Sequence, residues 1–101
     1  MTKKDQTKTS TSLFQPAPDT VYNRIDQETV LVLHMRTNRI YELNQTGARF
    51  WELLCAGYDQ ATIHQLMLQE FDVAEADMVV ETEVMLASLK NEDLITPVNG
   101  N

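Results

Sequence analysis

An α+β fold is predicted for this chain, and two observations carry the prediction. β-branched and aromatic residues are concentrated between Thr20 and Leu43, a composition that favours strands. From residue 45 to residue 93, apolar residues recur at three- and four-residue spacing, which is typical of amphipathic helices. Strands followed by helices with short links indicate one compact α+β domain, and 101 residues leave room for one core.

Three antiparallel strands are expected in the first half of the chain. The first runs from Thr20 to Ile25, and the second, from Glu28 to Met35, is apolar enough to be buried on both faces. A turn containing an asparagine leads into the third strand, Arg39 to Leu43. In that strand the apolar residues are expected to point inward, with Arg39, Tyr41 and, as a further candidate, Glu42 outward. A sheet of three strands has a free edge.

Two helices are delimited by capping residues. Asn44 is predicted to be the N-cap of a helix from Gln45 to about Cys55, because its short side chain can accept from the unpaired amides of the first turn. Gly57 is placed to end this helix. Asp59 is predicted to open the second helix.

A third helix is predicted from about residue 74 to residue 93, because Asp72 begins an Asp-x-x-Glu pattern typical of a capping box. Its core face, spread over a sector of about 100°, consists of Met78, Thr82, Met85, Leu86 and Leu89. A second apolar stripe lies nearly opposite and consists of Ala76, Val80, Val84 and Ala87. This second stripe is either a set of ordinary exposed apolar residues or the wall of a groove or subunit contact.

The net charge of −7 is concentrated in the last third of the chain. Residues 70–101 contain eight acidic side chains against Lys90, whereas residues 1–12 are basic. An acidic surface repels nucleic acid and attracts basic partners, although carboxylates on a helix also serve simply to keep it solvated.

Chemistry-bearing residues do not assemble into a recognisable site. His34 in a strand and His64 in the second helix are interpreted as structural, and neither has a metal ligand at suitable spacing on its own element. The single cysteine, Cys55, excludes an intramolecular disulfide and is interpreted as a small core residue. We therefore expect no enzyme activity, no cofactor and no metal.

Cellular location and chain organisation follow from composition. Apolar runs such as Val30 to Leu33 are too short to span a membrane, and no secretory signal is evident, so a cytoplasmic protein is expected. Residues 1–19 and 96–101 are predicted to be flexible tails around a domain at 20–95. Leu13 and Phe14 are the apolar exceptions in the first tail.

The stretch from Val30 to Leu54 resembles the PqqD family. Residues 41–48 read Tyr-Glu-Leu-Asn-Gln-Thr-Gly-Ala, matching the family pattern Tyr-x-Leu-Asn-x-Thr-Gly-Ala, and are followed by an aromatic and Glu-Leu-Leu. The similarity covers about residues 20–95. Two positions depart from the family: Asp93 stands where a glycine is frequent, and Glu81-Thr82 where an aspartate is frequent.

This resemblance implies a winged-helix-like recognition element for the precursors of ribosomally made, modified peptides, and not an enzyme. Such a domain binds the leader segment of the precursor and presents it to a modifying enzyme such as a radical-SAM protein, a peptidase or a cyclase. The leader adds as a strand to the third strand and lies against the third helix. The positions carried over are Arg39, Ile40, Tyr41, Glu42, Leu43, Val80, Glu83, Val84, Ala87 and Lys90.

Two other functions remain open at the level of sequence. A dimerisation or adaptor domain would use the Val80–Val84 stripe for self-association, so the protein is expected to be a monomer or a weak dimer. A winged-helix nucleic-acid binder would need a basic recognition helix, and the third helix is strongly acidic. We therefore expect neither nucleic acid nor membrane as a partner.

Overall fold

A computed structural model describes residues 13–98 and confirms the α+β fold. A three-stranded antiparallel sheet is followed by three helices, and two further short strands flank this unit. In chain order the elements are β1 (Phe14–Pro16), β2 (Thr20–Arg24), β3 (Val30–His34), β4 (Arg39–Leu43), α1 (Gln45–Cys55), α2 (Gln60–Glu70), α3 (Glu75–Asn91) and β5 (Ile95–Pro97).

The main sheet has the strand order β2-β3-β4, so that β4 lies at an edge. Val32 in the central strand faces Tyr22 on one side and Tyr41 on the other. Val30, Val32 and His34 are buried on the side of the sheet that packs against the helices. Within residues 13–98, β4 pairs with β3 alone, and its other edge is free.

The orientation predicted for Arg39, Ile40 and Tyr41 in β4 was wrong, whereas Glu42 points away from the helices as expected. Tyr41 and Leu43 lie opposite the buried residues Val32 and Val30, so Arg39, Tyr41 and Leu43 share the helix side of the sheet. Ile40 therefore points to the other side, where its side chain is 67% exposed. The physical reason is the two-residue period of a strand, which prevents Ile40 and Leu43, three positions apart, from both pointing inward.

The second face of the sheet is less covered than predicted. Leu31 and Leu33 point away from the helices and are half-buried, and Val21 beside them is exposed. No element among residues 13–98 packs over this face, so β3 is fully buried on one side only. The predicted burial of this strand on both faces was therefore wrong, since part of its apolar composition lies on this open face.

Two short strands lie partly or wholly outside the range 20–95 predicted for the domain. β1 pairs antiparallel with β5, with Phe14 opposite Pro97 and Pro16 opposite Ile95. Both strands lie partly or wholly in segments assigned to tails, and they are held because Phe14 packs against the core and Ile95 is buried within it. The remaining tail residues, 1–12 and 99–101, lie outside the described residues.

Helix starts are set by side-chain caps at two of the three helices. Asn44 accepts from Gly47 N at 2.9 Å, and Asp59 accepts from Thr62 N at 2.8 Å, which confirms both predicted N-caps. The capping box predicted at Asp72 was wrong, since α3 has Ala74 as its N-cap and no side-chain cap hydrogen bond. Glu75 and Asp77 in the first turn instead stabilise α3 through the helix dipole.

Helices α1 and α3 end in the same backbone motif. After α1, Tyr58 N donates to Leu53 O and Gly57 has φ 100°; after α3, Leu94 N donates to Leu89 O and Asp93 has φ 62°. These six-to-one hydrogen bonds define a Schellman motif, whose left-handed residue is usually glycine. Asp93 therefore occupies, at a conformational cost, a position that favours glycine in this motif.

A single core lies between the sheet and the helices. Its largest fully buried side chains are Trp51, Phe50, Leu54, Met67, Met78, Leu94, His34, Val30 and Val32. His34 is fully buried, and neither of its ring nitrogens has a hydrogen-bond partner among the described residues. In the described part of the chain, no helix combines the length and apolarity needed to cross a membrane.

Candidate functional site: a groove between strand β4 and helix α3

A groove of about 400 Å³ separates the end of β4 from helix α3, and we call it the β4–α3 groove. Its sides come from three elements: the end of β4, the β4–α1 junction and one face of α3. The lining residues are Glu42, Leu43, Asn44, Thr46, Gly47, Val80, Glu81, Val84, Met85, Ser88 and Leu89.

The free edge of β4 forms one wall of the groove. An edge strand presents backbone N–H and C=O groups that have no partner on their outer side, spaced as a template for another strand. Leu43 is half-buried beneath this edge, and Asn44 turns the chain directly into α1. An extended segment entering the groove can therefore hydrogen-bond to β4 without disturbing the existing sheet.

Gly47 keeps the floor of the groove open. A Cβ at this position would lie 3.3 Å from Asn44 Oδ1, 3.6 Å from Leu43 Cβ and 3.6 Å from Met85 Sδ. These three atoms belong to residues that line the groove. The absent side chain thus leaves space between the two walls, and Asn44 keeps the helix cap in place beside it.

Val80 and Val84 of the second apolar stripe form part of the wall on α3. Val80 and Val84 are 59% and 62% exposed, whereas Met78, Thr82 and Leu89 on the opposite side of the helix are buried. A four-residue separation places Val80 and Val84 one above the other on the same face. The rotation of α3 therefore turns these two valines toward β4 and not toward the core.

Of the ten predicted site residues, four line the groove: Glu42, Leu43, Val80 and Val84. Arg39 and Tyr41 lie on the helix side of β4 and both reach Glu92 at the end of α3, at 3.8 Å and 2.9 Å. These two side chains connect the strand to the helix.

The other four predicted residues lie away from the groove lining. Ile40 points to the open face of the sheet, and Glu83 lines a different depression between α2 and α3. The ammonium of Lys90 lies 5.4 Å from the centre of the Phe14 ring. Ala87 is exposed on α3 but does not line the groove.

Seven lining residues were not among the predicted site residues: Asn44, Thr46, Gly47, Glu81, Met85, Ser88 and Leu89. A sequence signal existed for some of them. Glu81, Val84 and Ser88 follow a three- and four-residue spacing, so any groove that includes Val84 also includes its neighbours on that face. Gly47 was marked by being a glycine in the first turn of a predicted helix.

Two neighbouring titratable groups near the core, Cys55 and Tyr22, both have raised pKa values. Burial raises the pKa of the Cys55 thiol to about 11, which leaves it protonated and weakly nucleophilic at neutral pH. The Tyr22 hydroxyl beside it also has a raised pKa, because the nearby Cys55 thiolate and burial both disfavour the phenolate. Within residues 13–98, no three His, Cys, Asp or Glu side chains are grouped as metal ligands.

Two solved structures are similar to this fold. One is TbiB1 in complex with the TbiA(beta) leader peptide, with a TM-score of 0.78 and 24% identity, covering 85% of this chain and 99% of that one. The other is lasso peptide synthetase B1 complexed with the leader peptide, with a TM-score of 0.74 and 24% identity, covering 83% and 98%. At this identity the similarity shows the fold.

Sequence comparison extends the structural similarity to a family. No curated protein sequence matches the chain. The family model described as coenzyme PQQ synthesis protein D (PqqD) matches residues 29–95, which include β3, β4, all three helices and every residue that lines the groove. The chain belongs to the PqqD family.

Proposed function

We propose that the protein binds the leader segment of a ribosomally synthesised precursor peptide in the β4–α3 groove and presents it to a modifying enzyme. The leader adds as a strand to the free edge of β4 and packs side chains against Val80 and Val84 of α3. The protein contributes binding and no chemistry of its own. The observation that carries the proposal is the pairing of a free strand edge with an exposed apolar helix face across one groove.

A peptide added as a strand would contact both walls of the groove, β4 and α3. Backbone hydrogen bonds along β4 supply affinity with little demand on sequence, and side chains at alternate positions enter the space beside α3. The two similar solved structures are both complexes with leader peptides, which supports the same use of this fold here.

The charge of α3 argues against nucleic-acid binding. The helix contains Glu75, Asp77, Glu81 and Glu83 but only one basic residue, Lys90. A recognition helix must approach phosphates, and this face repels them.

The proposal is tested by titrating isotope-labelled protein with a candidate leader peptide, encoded by a short reading frame beside its gene, and following amide shifts by NMR. We expect the largest shifts at residues 40–47 and 80–88. Slowed amide exchange along β4 would show that the peptide pairs with this edge. Shifts confined to the open face of the sheet would contradict the proposal.

A substitution isolates the α3 wall. Val84→Arg is expected to weaken leader binding while leaving the circular dichroism spectrum and melting temperature unchanged, because Val84 is already exposed. Val73→Arg makes the same change at an exposed valine outside the groove and serves as the control. Sedimentation of the protein alone at several concentrations tests the alternative of self-association. A dimer that buries Val80 and Val84 would form without any peptide.

A further inference from the structure

The groove also contains an unbalanced charge. Glu42 on the strand side and Glu81 on the helix side are carboxylates, and no lysine, arginine or histidine is present among the lining residues. Neither carboxylate forms an ion pair within residues 13–98. Both are exposed to solvent and therefore available to a bound peptide.

The basic side chains of the described region are engaged elsewhere. Arg24 binds Glu52, Arg36 binds Asp19, and Arg39 lies beside Glu92. Arg49 binds Glu70 through two nitrogens, and Lys90 lies over the Phe14 ring. Each arginine has a carboxylate partner outside the groove, so no cation of residues 13–98 is paired with the groove carboxylates.

Glu42 and Glu81 would lie beside opposite faces of a strand added to β4. Glu42 is on the open face of the sheet, because it lies opposite Leu31 and alternates with the inward-facing Tyr41 and Leu43. An added strand would place one side chain beside Glu42 at a cross-strand distance of about 5 Å. Side chains of the other parity would point toward α3, where Glu81 lies.

We propose that the bound segment carries two basic side chains, one facing Glu81 and one beside Glu42, separated by an odd number of positions. This proposal rests on the proposed function. The odd separation follows from the two-residue period of a strand. Acidic side chains at the same two positions are disfavoured, since each would face a carboxylate of the same charge. The partner is thus an extended segment with basic residues between apolar ones.

The test is a display selection of random peptides of about 12 residues, long enough to pair along β4 and extend past it. Wild-type protein and the double variant Glu42→Gln/Glu81→Gln are used as parallel targets. For the wild type we expect enrichment of Lys or Arg at two positions of odd separation, with Asp and Glu depleted there. For the double variant we expect the apolar pattern to remain and the basic preference to disappear.

Affinities of the best wild-type peptide give the quantitative test. Each single substitution is expected to weaken binding by about two- to five-fold, as for a solvent-exposed ion pair. Raising the salt from about 50 to about 300 mM should weaken the wild-type complex more than that of the double variant. Glu28→Gln removes the same charge at an exposed turn outside the groove and should leave affinity unchanged.

The two proposals fail in different ways. If the selection enriches no peptide, or peptides that do not perturb β4 and α3, the proposed function is wrong and the charge preference falls with it. If peptides bind in the groove but show no basic preference, or the same preference with the double variant, the charge inference alone is overturned.

Discussion

The Tyr41 hydroxyl donates a hydrogen bond of 2.9 Å to Glu92 Oε1, across 51 positions of sequence. The same carboxylate oxygen lies 3.8 Å from Arg39 Nη1. Tyr41 and Arg39 belong to strand β4, and Glu92 is the C-cap of helix α3. These contacts therefore join the two walls of the β4–α3 groove at one end and hold the strand at a defined distance from the helix.

Removing this hydroxyl should loosen the groove. Tyr41→Phe is expected to lower the free energy of unfolding, because it removes the hydrogen bond to Glu92. It should also weaken peptide binding, because the separation of the walls is less constrained. Urea denaturation and peptide titration measure the two effects. Tyr58→Phe is the control, since no hydrogen bond of the Tyr58 hydroxyl is present in residues 13–98; equal losses for both variants would contradict the assignment.

Filling the floor of the groove should affect binding more than stability. Gly47→Ala adds a methyl group 3.6 Å from Met85 Sδ, and it gains up to about 1 kcal/mol of helix propensity. Its 3.3 Å approach to Asn44 Oδ1 opposes that gain by crowding the helix cap. We expect peptide affinity to fall while the urea midpoint changes little.

Gly57→Ala is the control for Gly47→Ala, because it should affect stability and not peptide binding. The position is sterically open, but its φ of 100° strains any L residue. We expect a loss of about 1 kcal/mol of stability with unchanged peptide affinity. If Gly47→Ala left affinity unchanged as well, the floor of the groove would not contact the peptide.

Asp93 offers a stabilising substitution. Asp93→Gly relieves the left-handed conformation at φ 62° and removes a carboxylate from the negative end of the α3 dipole. We expect a gain of about 0.5 kcal/mol in the free energy of unfolding, measured by urea denaturation. Asp93→Asn removes the charge and keeps a side chain that tolerates this conformation. A gain with Gly that exceeds the gain with Asn would assign the excess to the left-handed backbone conformation, and no gain with Gly would contradict the conformational argument.

Cys55 should react slowly in the folded protein. With its pKa raised to about 11 by burial, the thiol is almost entirely protonated at pH 8. A disulfide reagent at about pH 8 should therefore label it at least about 100-fold more slowly in buffer than in urea. Because the folded pKa is raised, the corresponding contribution to stability is lost as the pH rises from about 9 toward 11. Equal labelling rates in both solvents would contradict this burial.

Ionised Glu52 should make the free energy of unfolding depend on pH in the acidic range. The hydrogen bond from Arg24, at 2.6 Å, holds the Glu52 pKa below its ordinary value, with a further contribution from the charge of Arg49. A lowered folded pKa means that the contribution to stability is complete above about pH 5 and is lost as the pH falls through the folded pKa. We expect the urea midpoint of Glu52→Gln to fall less than that of the wild type between about pH 5 and pH 3. Parallel losses would show that other carboxylates control acid unfolding.

Local signals explain which parts of the fold were predictable. Helix α1 was predicted with its observed bounds because Asn44 caps one end and Gly57 terminates the other, and both signals act within a few residues. The hairpin of β3 and β4 was likewise marked by its turn, where Asn38 takes φ 63°.

The missed features depend on contacts between distant segments. Pairing of β1 with β5 joins the two ends of the described chain, and neither three-residue strand has a periodic pattern of its own. The choice of Glu81 over Glu83 for the groove depends on how α3 is rotated relative to β4. Both residues border the second apolar stripe, so the sequence pattern alone could not distinguish them.

The pairing of β1 with β5 also determines how this domain can be joined to other proteins. Val98 N donates to Leu13 O at 3.0 Å, so the two ends of the described chain leave the domain side by side. A partner tethered at either end would start from the same point on the surface, next to Phe14 and the Lys90 ammonium. N-terminal and C-terminal fusions to an enzyme are therefore geometrically equivalent, and linker length, not the order of the fused domains, decides whether the enzyme reaches the groove.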